Sequence, residues 1–162
     1  MLDQTDHKII DLLQQDAKLT IKEIAGRLGL TATPIHERIK KLEKAGVIRH
    51  YAAVIDREKI GLNMLVFCSV SLKNHNSQYI EKFERDIQQL SPVVDCYHVG
   101  GMFDYLLKVM ASDMSDYQEF VSKKLAALDN IGTVQSSFVM SEIKHSHSLP
   151  SKGQVLATQH RK

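Results

Sequence analysis

Two short stretches hold residues whose types and spacing point to chemistry. Between Thr31 and His50 the basic residues Arg38, Lys40, Lys41, Lys44 and Arg49 face only Glu37 and Glu43. Ile35, Ile39 and Leu42 recur at i, i+4 and i+7, so on a helix they form one apolar stripe. Thr33, His36, Glu37, Lys40 and Lys44 then fall across from it. That face is positive and rich in hydrogen-bonding groups, as contact with the phosphates and major-groove base edges of duplex DNA requires. Thr31 at the helix entrance and Lys41 on its flank complete the set. Arg38 lies beside the apolar stripe, where a structural ion pair and a DNA contact are both open readings. Beyond the helix, Arg49 and His50 would touch backbone or minor groove, or remain a solvated pair.

The second stretch is Gly100-Gly101 with Met102 and Asp104. Glycine lets the backbone come close to a ligand and present its N–H groups to a carboxylate, while Asp104 can take an ammonium. Those are the two poles of a free amino acid. An ordinary hairpin turn is the competing reading. Ser136 and Ser137 are the supporting hydroxyl donors.

The elements that must position these residues follow from periodicity and punctuation. Asp3 and Asp6 stand in capping-box spacing ahead of Ile9, Ile10, Leu12 and Leu13, which gives a first helix ending near Asp16. Thr20 and Glu23 form a second capping box, before Ile24, Ala25 and Leu28, and Gly29 stands where a left-handed cap belongs. Pro34 falls in the first turn of a third helix that Gly46 stops. Val47 to Ile55 reads as a short β segment, so residues 1–55 are expected to form a winged helix-turn-helix. Residues 56–62, charged and ending near Gly61, read as a linker.

From Met64 the texture changes. A strand from Met64 to Leu72 is followed by a helix carrying Ile80, Phe83, Ile87 and Leu90, which Pro92 stops. Strands are expected at Val93 to Val99, Asp104 to Met110 and Val134 to Ile143, with a helix bearing Tyr117, Val121, Leu125 and Leu128 before the last. The order βαββαβ over residues 63–144 is a ferredoxin-like sandwich, so the fold class is α+β. Residues 145–162 are expected to be a loosely held tail.

Composition sets the limits. The chain has 162 residues, 43% apolar and 25% charged, with a net charge of +2. This is an ordinary globular balance, with no global field to announce a partner. No uncharged run reaches the ~18 residues of a bilayer span, and the first residues lack the basic and apolar regions of a secretory signal, so a cytoplasmic protein with no membrane partner is expected. Cys68 and Cys96 lack ligand spacing and read as thiols in strands; His145-Ser146-His147 has no carboxylate or thiolate nearby and reads as tail rather than metal site. No nucleophile elbow, P-loop or dinucleotide fingerprint is present, which leaves no basis for an enzyme and no cofactor to expect.

Taken in order, several short matches carry a resemblance. They are Leu2-Asp3 with Asp6, Ile9 and Leu12; Leu28-Gly29-Leu30; Arg38, Leu42-Glu43 and Gly46-Val47-Ile48; the Gly101-Met102-Phe103-Asp104-Tyr105 turn; and Met140 with Glu142. Together they resemble the Lrp/AsnC, or feast/famine, family of prokaryotic transcription regulators. The resemblance implies a DNA-binding N-terminal domain and a C-terminal amino-acid-sensing domain, often called RAM, that assembles dimers into octamers. It also implies that the Asp104 turn lies near an effector at a dimer–dimer interface, and Met102, apolar where the family often has a polar residue, points to leucine or methionine. An architectural DNA-organising protein of the same fold, with no small-molecule effector, is the alternative. The strand patterns add an expectation of their own. Leu65 and Phe67, with Leu106 and Met110, make the second sheet face apolar, so a homodimer should bury it.

Overall fold

The computed structural model describes residues 2–150, which divide into two compact units: the chain up to Val54 together with the segment from Lys144, and Ile55–Ile143.

In the first unit, α1 (Gln4–Gln15), α2 (Ile21–Leu28) and α3 (Ala32–Lys44) enclose Ile9, Ile24, Ala25, Ile35 and Leu42. Both expected capping boxes form, Asp3 with Asp6 and Thr20 with Glu23, and Gly29 ends α2 at φ +65°. These signals are local, so they survive any tertiary context. The wing is different: Val47 to Ile55 forms no strand. The N–H groups of Val47 and Ile48 turn back to the Leu42 carbonyl at 3.0 and 3.2 Å, and the Tyr51 hydroxyl donates to Glu43 at 2.9 Å. A strand exists only as half of a ladder, and among the described residues none lies beside this segment. Val54 and Ile55 are left exposed.

The expected tail also starts differently. The Ser148 hydroxyl donates to the Gln14 carbonyl, one of the carbonyls that the C-terminal end of α1 leaves open, and Leu149 exchanges hydrogen bonds with the Gln14 side chain at 2.7 and 3.2 Å. Residues 151–162 of that reading lie outside the described residues.

The second unit is a four-stranded antiparallel sheet of β1 (Met64–Leu72), β2 (Val93–His98), β3 (Tyr105–Ala111) and β4 (Ile131–Phe138), in the order β2-β3-β1-β4. Helices α4 (Ser77–Ile87) and α5 (Met114–Glu119) pack into its core, where Val66, Cys68, Val70 and Leu72 meet Phe83, Ile87, Tyr117 and Phe120. Directly after α5, Phe120–Leu125 widens to a π-helical turn in which the Ala126 N–H reaches the Val121 carbonyl. The stretch read as a linker folds with this unit. Glu58–Ile60 makes a 3₁₀ turn closed by Gly61, and Arg57 donates to the Leu62 carbonyl.

β4 runs earlier than expected, from Ile131 rather than Val134, and stops at Phe138 rather than Ile143. Its neighbour decides this: Leu72 pairs with Ile131 and Val66 with Phe138, the Val139 N–H still reaches the Leu65 carbonyl at 3.0 Å, and β1 begins at Met64, so residues after Met140 have no strand to join. The open sheet face is mixed rather than uniformly apolar. Cross-strand register places Ser69, Lys108, Asp95, Gln135 and Ser137 among Phe67, Leu106 and Tyr97, and Lys108 lies 3.6 Å from Asp95.

Candidate nucleic-acid interface and ligand site

α3 divides its charges by face. Ile35 and Leu42 are buried and Ile39 packs against them, fixing which side looks inward. On the opposite side Thr33, Glu37, Lys40 and Lys44 are exposed, with half-buried His36 on one flank and exposed Lys41 on the other. Thr31, also exposed, is the N-cap of α3 by backbone geometry without a side-chain cap hydrogen bond. Arg49 and His50 are exposed beyond the helix. None of Lys40, Lys41, Lys44 or Arg49 has an ion-pair partner among the described residues.

Arg38 behaves otherwise. Its Nη1 lies 2.5 Å from Asp3 Oδ2 and 2.7 Å from Asp6 Oδ1, which ties α3 to the start of α1. Asp6 is a buried carboxylate, and this pairing is what makes its burial tolerable. The Asp6 N–H and the guanidinium together hold Asp3 below the usual carboxylate range. Of the two readings open for Arg38, the structure displays the ion pair.

In the second unit, the turn between β2 and β3 is wider than a two-residue hairpin. The Val99 N–H meets the Asp104 carbonyl at 2.8 Å, enclosing Gly100, Gly101, Met102 and Phe103. Gly101 has φ +146°, a conformation that side chains resist, whereas Gly100 has an ordinary backbone and open space around it. Neither glycine N–H has a partner among the described residues, and the Met102 side chain is 88% exposed.

Asp104 is held firmly. Its Oδ2 accepts the Leu72 N–H at 2.7 Å, and His75 Nε2 lies 3.0 Å from each carboxylate oxygen. The Leu72 N–H foremost, then His75 and the nearby His98, keep this carboxyl below its ordinary range. His75 and Leu72 are the partners that sequence reasoning missed. Antiparallel pairing of β1 with β3 puts the end of one beside the start of the other, so the polar run Lys73-Asn74-His75-Asn76 was the available signal.

The two serines do not join this group. Ser136 lies on β4, at the other edge of the sheet, and its hydroxyl meets the Tyr117 hydroxyl at 2.5 Å, which in turn meets Cys68 Sγ at 2.9 Å. Burial pushes the Cys68 thiol and the Tyr117 phenol up. Ser137 pairs across from Phe67 on the opposite face. An open cleft of about 500 Å³ lies between α4 and β2, where Glu84 accepts the Tyr105 hydroxyl at 2.9 Å and His98 stacks on the Tyr105 ring. Cys96 lines it, its thiol pushed up to about 11 by burial and by Glu84. His145 and His147 bring their Nε2 atoms within 2.7 Å, but no group of three metal-ligating side chains converges among the described residues. Nor is any described helix long and apolar enough to cross a membrane.

A helix-turn-helix unit with an outward basic helix, followed by a ferredoxin-like unit with an anchored aspartate at a glycine turn, defines a DNA-binding regulator joined to a ligand-binding module. Comparison with known proteins agrees. Residues 2–49 match a winged helix-turn-helix DNA-binding model and residues 65–149 the Lrp/AsnC ligand binding domain. The chain belongs to the Lrp/AsnC family of transcriptional regulators. It is 35% identical over 150 residues to the DNA-binding transcriptional activator DecR of Escherichia coli, covering 93% of this chain and 99% of that one. It is 34% identical over 151 residues to the leucine-responsive regulatory protein of the same species, covering 93% and 92%. A transcriptional regulator of Neisseria meningitidis, solved as a complex with L-Met, superposes with a TM-score of 0.90 at 36% identity and 94% and 99% coverage. These relatives are regulators rather than enzymes.

Proposed function

We propose that this protein is a cytoplasmic, sequence-specific transcription regulator that places α3 in the major groove of duplex DNA and adjusts its DNA binding or assembly to a small amino acid. The observation that carries the DNA half is the division of charge on α3. Arg38 is committed to Asp3 and Asp6, while Lys40, Lys41 and Lys44 stand exposed without a carboxylate partner among the described residues, as phosphate contacts require. Thr31, Thr33, His36 and Glu37 occupy the N-terminal part of the helix, from which base edges are read in this class of motif.

The effector half rests on the Asp104 turn: an anchored carboxylate beside two glycine N–H groups without partners among the described residues. Leucine or methionine is the proposed effector, a choice that the neisserial relative's L-Met complex supports. Assembly is the third element. The apolar residues of the open sheet face and the unladdered segment ending at Val54 and Ile55 are surfaces that a second copy would cover, giving a homodimer and, by family analogy, an octamer. Two reading helices per dimer imply a pseudo-palindromic operator with half-sites about one helical turn apart.

The test is selection of duplexes from a random pool, followed by fluorescence anisotropy on the enriched sequence. The wild type should prefer it over random DNA by about a thousandfold or more. The Lys40→Ala/Lys44→Ala variant should bind both more weakly. Equal affinity of the wild type for enriched and random DNA would overturn sequence-specific regulation.

A further inference from the structure

The carboxylate assigned to the effector's ammonium is already occupied by this chain. His75 Nε2 is 3.0 Å from both Asp104 oxygens, so an Nε2–H there points between them, where an incoming ammonium would also sit. The ring hangs from a braced loop. The Lys73 N–H donates to the Asn130 carbonyl at 2.9 Å, the Asn74 N–H to Asn130 Oδ1 at 2.8 Å, and Asn76 caps α4 by accepting the Tyr79 N–H. The backbone on either side of His75 is therefore fixed while its side chain stays 59% exposed. A change of side-chain rotamer suffices to withdraw the ring, and Asp104 keeps the Leu72 N–H when it does.

We propose that His75 is a built-in competitor for the ligand site: its imidazole fills the ammonium position on Asp104, and an effector binds by displacing it. This rests on the amino-acid reading above. It adds that the ligand must bring a cationic donor, because a neutral group would exchange a charge-assisted contact for a weaker one. The other charged groups nearby are His98 on β2, whose charge also favours the Asp104 carboxylate, and Glu84 on α4, 4.0 Å from His98 Nδ1. They are unchanged in a His75 variant, so their contribution cancels in the comparison.

The experiment screens the twenty standard L-amino acids by thermal shift against the full-length wild type, His75→Ala, His75→Gln and Asp104→Asn. The best binder is then titrated by calorimetry near neutral pH. His75→Ala should bind about two- to fivefold tighter than wild type. His75→Gln, a neutral donor, should lie between them, and Asp104→Asn should lose binding. Binding by the wild type that is equal or weaker in His75→Ala overturns the competition and leaves the effector reading standing. No binding of any amino acid to either wild type or His75→Ala overturns the effector reading, and the competition with it.

Discussion

The outer face of α3 and the Asp104 turn treat charge in opposite ways. Lys40, Lys41 and Lys44 project from a helix whose inner face is locked by Ile35 and Leu42, and no carboxylate of the described chain meets them. Asp104 has the Leu72 N–H and His75 on it already. A site for DNA phosphates can afford to stand open, because its counter-ions are mobile and are released on binding. The proposed site for one small zwitterion works differently: its carboxylate is held in place by the Leu72 N–H, and His75 stands where the ligand's ammonium would sit. Exposure and readiness mark the first region, anchoring and occupancy the second.

The largest expected effect comes from the buried side of α3. Ile35→Ala removes a side chain with no exposed surface and should destabilise the first unit by about 3 kcal/mol. A urea titration followed by helix circular dichroism would show it, and DNA binding should fall with the folded fraction. A midpoint within error of the wild type would mean that the apolar stripe does not set the helix's orientation.

Next in size is Arg38→Ala, which strands the buried Asp6 carboxylate and frees Asp3. Melting should drop clearly while the salt dependence of DNA affinity in the folded protein stays unchanged. A flattened salt dependence would move Arg38 to the DNA contacts.

A smaller effect is expected at the turn. Because Asp104's carboxyl is held below its ordinary value, its contacts stabilise the fold above that ordinary value and are lost as pH falls through the lowered folded-state value. Thermal melts of wild type and Asp104→Asn should therefore differ near neutrality and converge below about pH 4. A constant gap across the series would contradict the linkage.

The smallest effect separates the two glycines. Gly101→Ala forces a side chain into φ +146° and should cost about 1 kcal/mol, whereas Gly100→Ala should be close to neutral. Equal melting temperatures for the two variants would show that the loop relaxes freely.

How much of this was legible in the sequence depended on how local each feature is. The capping boxes at Asp3 and Thr20 and the left-handed Gly29 follow from residues three or four apart, and they stand where expected. The four-strand, two-helix order was readable from hydrophobic period alone. What failed to read was pairwise. The segment 47–55 has strand composition but no ladder among the described residues, and the limits of β4 follow β1 beside it. His75 carries no motif; only the β1–β3 pairing brings it to Asp104. Ser136 and Ser137 were adjacent in sequence, but strand alternation sends one into a buried chain with Tyr117 and the other to the opposite face. Even the π-helical turn has its trace in Phe120 and Leu125, buried five residues apart.

The central claim, that unpaired lysines of α3 carry the DNA contact while Arg38 serves the fold, is tested most directly by the slope of log affinity against log salt. That slope is measured by fluorescence anisotropy for wild type, Lys40→Ala/Lys44→Ala and Arg38→Ala below their melting temperatures. The account predicts a slope flatter by up to about one unit for each lysine lost, with unchanged melting, and a wild-type slope for Arg38→Ala. A wild-type slope in the double lysine variant, or the flattening in Arg38→Ala instead, would contradict it.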